Sequence, residues 1–242
     1  MNINQLIENL TLEDIELLRV KKLQKEREIP SFSFSRMKMK DLEELVHLKF
    51  DLDKTIFNNW FNTENNISEE SINFLKNLIK KTAPLLSFYD EEDLKVHFLT
   101  PFFLKIDFTS FENEYRDFYH EQITYKADKF ILNGKVDFVL AKGLIESHNP
   151  YFFIQEFKRA EEYSNPRPQL LAELIAGLEI SNFSEIKGAY VIGINWNFVI
   201  LKKEGKDSYR YFVSKQFDST KIEDLIAIYK NLVFIKNMMK EI

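Results

Sequence analysis

The chain has 242 residues, 45% of them hydrophobic and 29% charged, enough for one large domain or a core domain with a smaller attachment and typical of a globular protein. With no cysteine it has no disulfides, thiolate zinc sites or thiol catalysis, which fits a cytoplasmic protein. A net charge of -5 argues against a broad basic face for nucleic acid, and no apolar run approaches the roughly 20 residues of a membrane span. The start of the chain, with Glu8, Glu13, Asp14 and Glu16, lacks the basic residues and apolar run of a signal peptide.

Residues 1–82 read as a helical region. Thr11-Leu12-Glu13-Asp14 resembles a capped helix start, with a Leu/Ile pattern continuing to about Gln24. Pro30 and the cluster Ser31 to Ser35 read as a break, and Met37 to Phe50 as amphipathic again. Asn62 to Asn66 reads as a loop. Ser68 or Ser71 can cap a helix to about Lys81, with Ile72, Leu75, Leu78 and Ile79 at helical spacing.

Residues 83–242 read as an α/β domain with a central mixed sheet flanked by helices. A helix is expected over about Asp90 to Leu104, with Leu94, Phe98 and Leu99 on one stripe. Strand-like runs follow at about 121–127, 133–142 and 151–159. A second helix starts near Pro166 or Arg167 and runs to about Ile180, its stripe formed by Leu170, Leu171, Leu174, Ile175 and Leu178. Gly188 to Ile194 and Asn197 to Leu201 are apolar enough for central strands. Gly205-Lys206-Asp207 marks a hairpin turn before a strand at Tyr209 to Val213, and Thr220 to Met239 closes the chain as an amphipathic helix.

Chemistry concentrates in Lys135-Val136-Asp137-Phe138, Gln155-Glu156-Phe157-Lys158 and Gln169. Residues two apart on a strand share a face, so Glu156 and Lys158 go together, while Asp137 has Val136 and Phe138 on its opposite face. The Gly143 to Pro150 segment can close a hairpin that sets Asp137 beside Glu156. Two carboxylates that close repel unless a cation lies between them. Mg²⁺ suits such a pair, since it prefers oxygen ligands and is commonly held by one or two carboxylates plus substrate phosphate. Lys158 could then orient a water or stabilise developing negative charge. Gln169 and Glu173 share a face of the next helix, where Gln169 could bond the water or a phosphate. Arg159 and Arg167 are candidates for contact with a DNA backbone.

An Asp, then Glu-x-Lys, then a Gln on the following helix resembles the PD-(D/E)XK (restriction-endonuclease-like) nuclease superfamily. The family's Pro before the Asp is Val136 here. The resemblance covers about 85–240, and Gln169-Leu170-Leu171-Ala172-Glu173 and Tyr190-Val191-Ile192-Gly193 before Trp196 look similar to an uncharacterised bacterial group within it. It implies a helix before the strands that adds an acidic ligand, best matched by Glu91, with Glu92 as the fallback. It also implies Mg²⁺, with Mn²⁺ as a substitute, bound by Asp137, Glu156 and Glu91, and DNA cleavage completed by Lys158 and Gln169. A homodimer would supply two sites for two strands. The low isoelectric point leaves an alternative, a nuclease-fold assembly protein without turnover that acts with a protein partner.

Plainer roles stand beside these. Asp137 and Lys158 alone would suit a structural ion pair, and Glu173 suits a structural role. His47, His97, His120 and His148 show no metal-ligand spacing, and no P-loop, dinucleotide loop or Gly-x-Ser-x-Gly elbow occurs. Trp196, Tyr190 and Phe198, at strand spacing, read as core.

Overall fold

In this computed structural model the described residues are 10–62, 66–86, 88–158 and 165–240, with the side chains of 91 and 154–158 among those outside the description. Thr11 caps the first helix, α1 (Leu12–Glu28), as its spacing predicts. Its N–H donates to the Asp14 carboxylate at 3.0 Å, and its hydroxyl accepts from the Asp14 N–H at 3.2 Å.

The next residues depart from the expected pattern. Ser31–Ser33 is a strand, β1, where the Ser cluster reads as a break, and Met37 to Phe50 divides into a helix, α2 (Met39–Leu45), and a strand, β2 (His47–Asp51). Both strands pair in parallel with sequence-distant partners, β1 with Ile131–Asn133 and β2 with 208–212. Strands of three and five residues are too short to carry a period, and cross-strand pairing decides them. A single turn, α3 (Asn58–Phe61), precedes α4 (Glu69–Thr82), which Ser68 caps by accepting from the Ser71 N–H at 3.1 Å. The loop predicted at Asn62 to Asn66 falls largely on residues outside the description.

The helix expected over Asp90 to Leu104 is α5 (Glu91–Leu94), a π turn at Lys95–Leu99, and α6 (Thr100–Ile106). Pro101 lacks an N–H for the carbonyl one turn back, and the wider turn lies just before it. The strands β3 (Tyr115–Lys126), β4 (Ile131–Lys142) and β5 (His148–Lys158) follow, then α7 (Arg167–Ile180), β6 (Glu185–Ile192), β7 (Asn195–Gly205), β8 (Ser208–Asp218) and α8 (Ile222–Met238).

These strands form one eight-stranded mixed sheet in the order β1-β4-β5-β6-β7-β8-β2, with β3 also paired to β4. The β5–β6 pair is parallel, and β3–β4, β4–β5, β6–β7 and β7–β8 are antiparallel. Each face buries its own core. One is rich in aromatic rings and packs against helices that include α4, α6 and α8, through Trp60, Phe102, Phe103, Trp196 and Phe198. The other packs α7 against the sheet through Leu170, Leu171, Leu174 and Ile175. Trp196 and Phe198 are fully buried, as core rings.

The centre of the molecule is α7, whose residues Pro168 to Leu178 are all buried. A helix apolar all round lies inside a protein, not on its surface. Close approach to β5 and β6 needs two glycines. A Cβ on Gly177 would meet the Phe153 ring at 2.6 Å, and one on Gly188 would meet the Leu174 side chain at 3.0 Å. Among the described residues no helix is long and apolar enough to cross a membrane.

Candidate functional site

Asp137 sits where β4 changes face. Leu132 and Val136 bury in the α7 layer, Phe138 and Leu140 in the opposite, aromatic layer, and Val139 and Ala141 back in the α7 layer. Strict alternation would keep 136 and 138 on one side. Their expected sharing of a face is therefore corrected, since the alternation slips by one at Asp137. The partner strand shows the cause. Tyr119 pairs with Phe138 and Glu121 with Val136, and between them His120 has a left-handed backbone, φ 51°. The ladder from β4 to β1 covers Ile131–Asn133 and the ladder to β5 begins at Phe138 with Ile154, so Asp137 stands just before the β5 ladder.

Strand β5 carries Glu156 and Lys158 past this point. Gln155 pairs with Tyr190 and Lys158 with Ile192, so β5 has one more residue than β6 over this step. Such an irregularity re-aims the chain at a strand end. The side chains of Glu156 and Lys158 lie outside the described residues, as does Arg159 entirely. Glu91 opens α5, which lies against β5, but its side chain is also outside the description. The fallback, Glu92, is exposed and ion-paired with Lys95 at 3.4 Å.

Opposite Asp137, α7 presents two buried polar side chains, Gln169 and Glu173. The Gln169 amide donates to Glu173 Oε1 at 3.1 Å. Among the described residues, Glu173 Oε2 is buried with no hydrogen-bond partner. Burial, and then the nearby charge of Asp137, holds the Glu173 carboxyl well above the usual carboxylate range, only partly offset by the Gln169 bond. A buried carboxylate oxygen without a donor is completed by a proton or by a cation. Asp137 and Glu173 therefore fit an oxygen-ligand metal site chemically. Among the described residues no group of three or more metal-ligating side chains converges, in a set that omits the side chains of Glu91 and Glu156.

Arg167 begins α7 and is half-buried. Its guanidinium donates to the Tyr190 hydroxyl at 3.2 Å, lies 5.7 Å from that ring's centroid and also bonds Tyr211, while among the described residues its Nε is buried without a partner. It lines a polar cleft of about 450 Å³ together with Tyr190, Asn195, Asn197 and Gln216. His97 is exposed, 3.9 Å from Asp93 and stacked near Tyr89, away from these groups.

The sequence reading groups Asp137, Glu156, Lys158, Gln169 and Glu91, with Arg159 and Arg167 as contacts to the nucleic-acid backbone, but treats Glu173 as structural and leaves the cleft out. A signal for Glu173 was present. From Pro168 to Leu178 the only polar side chains are Gln169 and Glu173, in a helix otherwise apolar on every side. Two polar groups in such a helix face inward of necessity.

No family model matches this chain, and no curated protein matches it. Among solved structures, one described as "cryoEM structure DrdV-DNA complex" is similar over 67% of this chain and 14% of that chain, at 11% identity and a TM-score of 0.36. The aligned part is thus a small share of a much longer protein, and the likeness is too distant to bear on function.

Proposed function

We propose that this protein hydrolyses phosphodiester bonds in nucleic acid, DNA foremost, with Mg²⁺ or Mn²⁺. The observation that carries the proposal is the buried oxygen of Glu173, without a hydrogen-bond partner among the described residues, near Asp137 and on the helix that packs on the strand bearing Glu156-x-Lys158. A purely structural acid buried this way would be expected to have its second oxygen bonded.

Asp137 and Glu156 would hold the metal, with Glu91 as a further ligand and Glu173 close to Asp137. Bound there, the metal would lower the pKa of a water and offset charge on the phosphoryl oxygens. Lys158 orients the attacking water and stabilises negative charge as it develops. Gln169 is a positioning residue, since its amide holds Glu173. Arg167 fixes the nucleic-acid strand beside the site. The chain's net charge of -5 means that affinity for DNA comes from local groups or from a partner subunit, not from a basic face.

The test is cleavage of linear, circular and single-stranded DNA, and of RNA, by the whole chain with Mg²⁺ or Mn²⁺. Cleavage that stops on chelation is expected. Absence of cleavage on all four substrates, with no metal binding by calorimetry, would overturn the proposal in favour of a nuclease-fold assembly protein.

A further inference from the structure

The registers of four strands line up polar residues beside the candidate site. Gln155 pairs with Tyr190, Tyr190 with Asn197 and Asn197 with Gln216. One step further along, Lys158 pairs with Ile192, Ile192 with Asn195 and Asn195 with Asp218. Paired residues share a face, so Tyr190, Asn197 and Gln216 form one row, and all three line the cleft of about 450 Å³. At about 4.8 Å per strand, the row runs roughly 14 Å from β5 to β8. The cleft therefore adjoins the strand that carries Lys158, through Ile192 of β6, which lines the cleft and pairs with Lys158.

The chemistry of its walls is specific. The carboxamides of Asn195, Asn197 and Gln216 make no side-chain hydrogen bond among the described residues. Such groups each donate and accept, which matches the edge of a base better than a phosphate. Phe50, 41% exposed, adds an aromatic wall, its ring tilted against Tyr211 at 5.1 Å between centroids, and base stacking on a ring is favourable for every base. Two cations border the cleft, Lys54, which donates to the Val213 carbonyl and keeps its charge, and Arg167. Arg167 is bonded to the hydroxyls of Tyr190 and Tyr211, and its further N–H groups suit one phosphate or a base edge. Two cations among several carboxamides and a ring suit a single nucleotide better than a run of phosphates.

We infer that this cleft is a base-selective nucleotide subsite, seating an unstacked base of the strand next to the bond that β5 addresses. The inference rests on the reading that the site takes nucleic acid. Asn197 and Gln216 contact the base edge, Phe50 its face, and Arg167 the adjoining phosphate.

The test is equilibrium binding of fluorescent single-stranded tetranucleotides of each base to the full chain, in chelator so that no turnover intervenes. One base should bind about tenfold or more tightly than the others, the discrimination of one good base-edge pair. That preference should vanish in Asn197→Ala and Gln216→Ala with circular dichroism unchanged. A native chain that binds all four equally, or variants that keep the preference, would overturn the inference. Photocrosslinking of 5-iodouracil-containing oligonucleotides to the native chain needs no variant. Crosslinks at Phe50 support the subsite, and crosslinks confined to other faces of the molecule overturn it. Base preference without metal-dependent cleavage would remove the hydrolysis and leave the subsite standing. Cleavage without base preference would do the reverse.

Discussion

A buried carboxyl with a free oxygen is the residue with the largest measurable consequence. Glu173 keeps its proton in the folded chain at pH values where the unfolded chain, with its ordinary value near 4.5, has released it. Without metal the native state then binds more protons than the unfolded state, so this residue's contribution to stability is full below about pH 4.5 and declines as pH rises toward the raised native value. Glu173→Gln removes that decline. Urea unfolding in chelator between pH 5 and 9 should show a flatter profile for the variant and a stability advantage that grows with pH. Parallel profiles would mean that Glu173 is ionised and paired in the folded state. The neighbouring residue Asp137 shows the limit of sequence logic. Its acidity and its place before Glu156-x-Lys158 are plain in the sequence. The slip of alternation that frees it from the β4 pattern comes from a left-handed His120 on another strand, and no local pattern announces that.

At the level of elements, α7 is the piece that both the fold and the site depend on. Its limits at Arg167 and Ile180 and its leucine stripe are legible from spacing, because a long, strongly periodic helix is the clearest signal a sequence carries. Its burial on every side follows from composition, once the small residues Ala172, Ala176 and Gly177 are counted with the leucines. By contrast β1 and β2 were hidden, since three and five residues carry no reliable period and their partners lie about 100 and 160 residues away. The cleft was hidden too. Asn197 and Gln216 look like ordinary polar interruptions until the register places them in one row with Tyr190. The tight seat of α7 gives a direct check. Gly177→Ala gains about 1 kcal/mol of helix propensity but drives a methyl into the Phe153 ring, at about 1–3 kcal/mol for overpacking. Net destabilisation in urea is expected, and it should be relieved in the double variant with Phe153→Leu. A stabilised Gly177→Ala would show that α7 sits farther from β5 than its contacts indicate.

For the whole molecule, the site lies between two cores. Glu173 is buried on α7 within charge range of Asp137, while α5, whose Leu94 packs in the aromatic core, meets β5. Metal binding at the proposed site would therefore tie together elements from both layers and should register as global stability. Metal that binds only the native state at about 100 times its Kd adds roughly 2.7 kcal/mol, which for a chain of this size corresponds to about 5–10 °C in Tm. Mn²⁺ should raise the native Tm by that order, release protons on binding, and have little effect on Asp137→Ala. Equal shifts in both proteins would place the ion elsewhere.

The most direct single measurement is metal-dependent DNA cleavage by the native chain, Asp137→Ala and Lys158→Ala, purified alike and compared in one time course with Mg²⁺ or Mn²⁺. The proposed site predicts cleavage by the native chain and a loss of about a hundredfold or more in each variant, the scale of removing one group that stabilises charge in the transition state. Cleavage retained in both variants would contradict the site, and no cleavage by the folded, metal-bound native chain would contradict the activity.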